Sequence, residues 1–199
     1  VKGKVWGVDL CVDALADRAL ERARAVEPEI SRGVRAAAAE VGAEMAGYPE
    51  HVLKKPERLR EKLAELTGEF PGKTPESLVH DVVRYTFVFD DDRYAEGVAA
   101  VRKAMERQGF TLVQQKPSWD DHARYKGVNT SWRGPGGQLF ELQIHTPRSL
   151  WAKEVTHDIY KRKPNLTPEE RRALELYEQH IFESVPVPPG ASRIPAMQG

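Results

Sequence analysis

The chain has 199 residues, enough for one compact domain with a sizeable core, and its 40% apolar and 30% charged residues are ordinary for a globular protein. Lys plus Arg and Asp plus Glu both number 30, so the net charge is zero, which argues against a nucleic-acid coat or a polybasic membrane anchor but permits a local basic cleft. Cys11 is the single cysteine, which excludes an intrachain disulfide and a cysteine-built zinc site, and no apolar run is long enough to cross a membrane.

From Asp9 to Ala46 the Ala, Leu, Glu and Arg residues recur at helical spacing, with Pro28 and Gly33 as punctuation, and the pattern predicts two helices. Cys11, between Leu10 and Val12, is expected in a buried stretch rather than as a catalytic thiol. Pro49 is expected to open a third helix over Glu50 to Leu66, ended by Gly68 and Pro71. Val82 to Phe89 is β-branched and aromatic and predicts a buried strand. Arg93 to Gln108 is amphipathic, with Tyr94, Val98, Val101 and Met105 on one face and Gly109 after its end. Phe110 to Gln115, Lys126 to Trp132 and Gln138 to His145 predict three more strands, the last two joined by a turn at Gly134 to Gly137. Ser149 to Lys161 predicts a helix begun at Ser149, and Thr167 to Phe182 another with a capping box at Thr167 and Glu170. After Val185 the Pro- and Gly-rich tail is expected to be loosely held.

This order implies an α/β or α+β protein with a mixed sheet of about five strands flanked by helices. The division expected is one domain over 1–199, with N-terminal helices over 1–48, a core over 49–161 and a C-terminal helix and tail over 162–199. The start at Val1 is expected to reflect a processed export product or an excised domain, so secretion is the expected location, with a cytoplasmic or exported-toxin setting as the alternative.

Four clusters carry the chemistry. Lys54, Arg58 and Lys62 are spaced four apart and would form a cationic row suited to a polyphosphate, or a solvated helix face paired with Glu57, Glu61 and Glu65. Asp81, just before a buried strand, would hold Mg²⁺ or serve as a turn or cap residue. Tyr125, at the start of a strand, would stack a base or be an ordinary half-buried aromatic. Glu141, Gln143 and His145 alternate with Leu142 and Ile144, which puts the polar three on one strand face. That face is a polar cleft floor, where a carboxylate ligates metal or takes a proton, or else it faces solvent. His80, His122 and His157 are scattered, and the sequence has no HExxH, GxxxxGK[ST] or GxGxxG pattern.

In this order the clusters resemble the synthetase domain of RelA/SpoT-type alarmone enzymes. Leu53 to Leu63 looks like the family's ATP-binding segment, Asp81 to Thr86 like its metal-binding Asp and following strand, and Arg124 to Thr130 sits where the family has its acceptor motif. Glu141 to Thr146 is similar to the Glu-x-Gln-x-Arg-Thr strand, and Trp151-Ala152 followed by Tyr160-Lys161 to the helix after it. Six positions depart: Arg84 and Arg124 stand for Gly, Thr86 for Arg, Gly127 and Asn129 for the Ser and His of Ser-x-His, and His145 for Arg. They cluster at the acceptor and phosphate contacts and leave adenine and guanine acceptors both open.

The resemblance implies a nucleotidyltransferase-like fold and an Mg²⁺-dependent transfer of pyrophosphate from ATP to the 3′-hydroxyl of a purine nucleotide. It implies Lys54, Arg58, Lys62 and Arg84 on phosphates, Asp81 and Glu141 on the metal, and Tyr125, Lys126, Asn129, Gln143 and His145 toward the acceptor. Secreted nucleotide 3′-pyrophosphokinases of actinomycetes and toxin synthetases of adenosine alarmones are the relatives it looks like. Three rival expectations are pyrophosphorylation of tRNA 3′ ends, which the neutral charge does not favour, a non-catalytic nucleotide-binding module, and a protein-interaction domain.

Overall fold

The computed structural model describes residues 6–69, 79–120, 124–162 and 166–199, with side chains described for these except 6–11, 67–69 and 158–162. The burial expected of Cys11, the helix end at Pro71, His122 and the Tyr160-Lys161 side chains lie outside those residues.

The chain opens with one long helix, α1 (Trp6–Val41), where two were expected. Pro28 lies inside it. A proline there removes one backbone hydrogen bond and costs about 3 kcal/mol. The buried stripe of Leu20, Ala23, Ile30, Val34, Ala37 and Val41 continues on both sides of Pro28 and offsets that cost. Gly33 is a contact residue and not a helix end: a Cβ there would meet the Phe110 ring at 2.6 Å.

The short strand β1 (Glu44–Met45) follows, then α2 (Pro56–Glu69). The expected start at Glu50 is six residues early. Pro56 takes the first helical position, where no N–H is needed, and Glu57 complements the helix dipole. Leu59 and Leu63 are its buried anchors.

Next come β2 (Arg84–Val88), α3 (Tyr94–Arg107), β3 (Thr111–Ser118), β4 (Gly127–Arg133) and β5 (Leu139–His145). All four expected core positions of α3 are buried, and Gly109 follows it at φ 84°. The helix α4 (Pro147–Arg162) starts before the expected Ser149. Thr146 and Ser149 cap it reciprocally: Ser149 N–H donates to Thr146 Oγ1, and Thr146 N–H donates to Ser149 Oγ. The expected capping box opens α5 (Pro168–Glu183), where Thr167 Oγ1 accepts from Glu170 N–H. The tail is not loose. It forms β6 (Met197–Gln198) on the edge of β3, and Val185 and Ala191 are buried.

The sheet order is β1-β2-β5-β4-β3-β6, with β2 and β5 parallel and the other neighbours antiparallel. The six strands extend the expected five by adding short edges. One face is apolar. Tyr85, Phe87, Val128, Trp132, Phe140, Leu142 and Ile144 are buried on it. Helices α1 and α3 pack there: Ser31 bonds Tyr85 at 2.8 Å, Phe110 meets Phe140 edge to face, and Tyr94 Oη donates to the Ile144 carbonyl. Polar side chains are thereby left to the opposite face.

Candidate active site

The register assembles a polar surface on that second face. Arg84 pairs with Glu141, Thr86 with Gln143 and Val88 with His145 across β2 and β5. Asn129 pairs with Gln143 and Ser131 with Glu141 across β4 and β5. Paired residues in adjacent strands project to the same side, so Arg84, Asn129, Ser131, Glu141, Gln143 and His145 share one floor. The strand does not face solvent. Glu141, Gln143 and His145 are all buried, His145 as completely as Leu142 behind it. Buried polar groups need partners. Gln143 Nε2 donates to Glu141 Oε1, which fixes the carboxylate.

At the β2 corner of this floor stands Asp81. Lys54 Nζ reaches its Oδ2 at 2.5 Å and Lys62 Nζ its Oδ1 at 2.7 Å. Lys54 is not on the α2 helix, as an unbroken row would require. It precedes Pro56, anchored by its own N–H to the Val82 carbonyl, and turns back to meet Lys62 from the helix. Arg58 instead forms an exposed pair with Glu61 at 2.6 Å. Burial acts to raise the Asp81 carboxyl, and the Lys54 and Lys62 ammonium groups outweigh it, holding the group below the usual carboxylate range. His80, one of the histidines scattered along the sequence, bonds Ser131 Oγ at 3.0 Å. Ser131 is the β4 partner of Glu141, and Arg84, three residues past Asp81, is its β2 partner. The residues on either side of Asp81 in the chain, His80 and Arg84, thus reach the two strand positions that flank Glu141.

At the other end, Tyr125 closes over His145. The Tyr125 hydroxyl and His145 Nε2 are 2.9 Å apart, and His145 Nδ1 lies 2.8 Å from Ser149 Oγ. Ser149 Oγ also contacts the Thr146 carbonyl as a donor, so it accepts from His145 Nδ1–H. Nε2 is then the acceptor for the Tyr125 proton. Burial first, then the Lys153 charge, hold the imidazole down to about 3, so it is neutral at physiological pH. Burial, with the Glu141 charge, pushes the Tyr125 hydroxyl well up. Lys126, expected among the nucleotide contacts, is 2% exposed, and its ammonium donates to the Asp120 carbonyl, which makes it a strut of the loop before β4.

Two residues of this site escaped the sequence reading. The sequence marks Ser149 only as a helix start and gives Lys153 no motif at all. Their spacing of four places them on one face of α4, and that face lies over β5: Lys153 Nζ donates to Gln143 Oε1 at 2.5 Å. The i,i+4 pair directly after a polar strand was the available signal.

Among the described residues no three His, Cys, Asp or Glu side chains gather as a metal-holding group. The donor set still fits Mg²⁺, which takes one or two carboxylates and completes its shell with water and substrate phosphates. Asp81 and Glu141 are the carboxylates of this face that would hold it.

No family model matches the sequence, and no curated protein matches it. Solved structures do. A chain of the complex between the type VI effector Tas1 and its immunity protein aligns with a TM-score of 0.55 and 20% identity, over 84% of this chain and 94% of that one. A GTP pyrophosphokinase family protein from Streptococcus pneumoniae aligns at 0.54 and 18%, over 82% and 89%. Small alarmone synthetase 1 from Bacillus subtilis aligns at 0.54 and 15%, over 87% and 91%. At these identities the likeness is one of fold.

Proposed function

We propose, from the RelA/SpoT-type synthetase fold that this chain shares with those structures, that it transfers pyrophosphate from ATP to the 3′-hydroxyl of a purine nucleotide and releases AMP. The observation that carries the reading is the meeting of Lys54 and Lys62 on Asp81, at the edge of a sheet whose polar face buries Glu141.

ATP would enter with its phosphates toward Lys54 and Lys62. The two ammonium groups would exchange the Asp81 carboxylate for phosphate oxygens, which are likewise anionic hydrogen-bond acceptors. Arg58, one turn before Lys62, is held by an exposed glutamate and free to follow the end of the chain. The freed Asp81 and Glu141 would hold Mg²⁺. An ion held by these two carboxylates would supply charge neutralisation for the donor's phosphates.

The acceptor purine would rest on Tyr125, whose hydroxyl is pinned by His145. Asn129 and Gln143 line the path between that ring and Glu141. A bond forms between the acceptor 3′-oxygen and the β-phosphorus as the bond from that phosphorus to the α,β-bridging oxygen breaks. The hydroxyl proton passes to Glu141, and AMP leaves. Gln143, by fixing the Glu141 carboxylate, orients the oxygen that receives the proton. Positioning and charge neutralisation carry most of the rate.

The test is incubation with ATP, Mg²⁺ and AMP, ADP, GDP or GTP, followed by mass spectrometry. The expected result is AMP together with a 3′-pyrophosphorylated nucleotide, reduced at least about a hundredfold in Glu141→Gln. A wild-type protein that binds ATP and yields neither product, or a Glu141→Gln variant at full rate, sinks the proposal.

A further inference from the structure

Two runs of hydrogen bonds cross the polar floor, and both begin or end on one face of α4. In one, Tyr125 donates to His145 Nε2, and His145 Nδ1–H donates to Ser149 Oγ. In the other, Lys153 Nζ donates to Gln143 Oε1 at 2.5 Å, and Gln143 Nε2 donates to Glu141 Oε1. Ser149 and Lys153 stand one turn apart, on a helix whose start is locked by the reciprocal cap of Thr146 and Ser149. Ser149 thereby sets the tautomer of His145. Lys153 has no part in the chemistry above, yet it occupies the matching place in the run that leads to Glu141.

The polarity of that run is fully determined. An ammonium offers only donors, a carboxylate only acceptors, and an amide one of each kind at opposite ends. Between Lys153 and Glu141, Gln143 makes both bonds in one orientation only. The reverse sets donor against donor and acceptor against acceptor. Burial draws the Lys153 ammonium down to about 8, which leaves it protonated, and so donor-only, at neutral pH. Glu141 and Gln143 are 8% and 6% exposed, so little water is at hand to replace a lost bond. An amide held at both ends has its plane and its reach fixed, whereas an amide held by Glu141 alone swings with the carboxylate it should restrain. The ammonium on the oxygen also polarises the amide and strengthens its N–H as a donor.

We propose that Lys153 is a positioning residue: acting through Gln143, it aims the Glu141 carboxylate from helix α4. The inference rests on the pyrophosphate-transfer reading for what that carboxylate then does, which is to receive the proton of the acceptor hydroxyl. The alternative role for Lys153 is to hold α4 against the sheet, with no bearing on Glu141.

Steady-state kinetics and the side-chain amide spectrum of the full chain separate these at neutral pH. The Gln143 amide signals are those that vanish in Gln143→Leu, and in the wild type one of the two protons is expected downfield of free glutamine amides. Lys153→Met keeps the stem and removes the ammonium. It should move that proton toward the free position and lower kcat about tenfold, with the KM for each substrate within about twofold of wild type. Lys153→Arg, also donor-only, should restore both readings. In a Gln143→Leu background, Lys153→Met should cost nothing further. Lys153→Gln, neutral and still polar, replaces Lys153→Met if the latter does not fold. An unmoved amide proton, an unchanged kcat, or a loss of the same size with and without Gln143 overturns the proposal. If the wild type yields no product but the amide proton follows Lys153 as described, the transfer reading fails and the aiming of Glu141 stands. If transfer occurs and neither kcat nor the amide proton responds to Lys153→Met, the aiming fails and the transfer stands.

Discussion

Tyr125 and His145 meet edge to face, with ring centroids 5.3 Å apart and an interplanar angle of 76°, so one hydrogen bond and one ring contact fix the tyrosine together. Tyr125→Phe keeps the ring and loses the bond, and His145→Ala loses both. A double-mutant cycle on stability should give a coupling of about 1 kcal/mol. In the transfer assay each single variant should raise the acceptor KM and leave that for ATP near the wild-type value. Additive effects would mean that the two rings are independent.

The buried imidazole also makes a pH prediction. His145 is held down to about 3 in the folded protein, and an unfolded histidine titrates near 6.5. As pH falls below 6.5 the unfolded chain takes up the proton first, so stability drops through this window. The slope attributable to His145 is about 1.4 kcal/mol per pH unit. Urea midpoints from about pH 6 to about pH 4.5 should fall more steeply for the wild type than for His145→Asn. Parallel lines would show that His145 is not the group responsible.

Asp81 acts in a lower window. Its folded carboxyl is held below the usual range, so its contribution is complete above the unfolded value near 3.9 and disappears as pH falls through the folded one. Asp81→Asn should cost about 2 kcal/mol at neutral pH, discounted for the partial exposure of Lys62. The variant should also show a flatter acid limb. Chemical denaturation at neutral and acid pH measures both.

Gly127 supports the same site from beneath. Its φ is 147°, and a Cβ there would lie 3.0 Å from the His145 ring and 3.1 Å from the Ile144 carbonyl oxygen. Gly127→Ala should destabilise by about 2 kcal/mol and release Tyr125, read as a lower urea midpoint together with a higher acceptor KM. An alanine variant with unchanged midpoint would mean that the β4 entrance yields easily.

The sequence revealed those parts of the architecture that depend on periodicity. The alternation of Glu141 to His145 and the stripe of α3 survive in any tertiary setting, because strand and helix geometry fix which side chains share a face. Burial was harder to read: Glu141, Gln143 and His145 looked equally compatible with solvent, since what covers a polar face comes from elsewhere in the chain. Pro28 and Gly33 were misread as breaks because local preference yields to a long buried stripe and to the close approach of Phe110. The pairing of Lys54 and Lys62 on Asp81 was not legible: the spacing suggests a row along one helix, whereas the chain reversal before Pro56 brings both lysines to Asp81. Lys153 remained hidden because a lone lysine on a helix carries no motif.

The two-residue strand at the C-terminus has a bearing on how the molecule behaves in a crowd. Met197 and Gln198 occupy the rim of β3 at Gln114 and Gln115, Gly199 N–H donates to the Val113 carbonyl, and Gln115 reaches back to the Pro195 carbonyl. Farther along that rim, Pro117 withholds a donor and Lys116 adds charge. These last few residues act as a self-supplied bumper, turning what would be a sticky margin into one that rejects recruitment of other chains. Removing Met197 to Gly199 should increase self-association through β3, read by light scattering, before the urea midpoint falls.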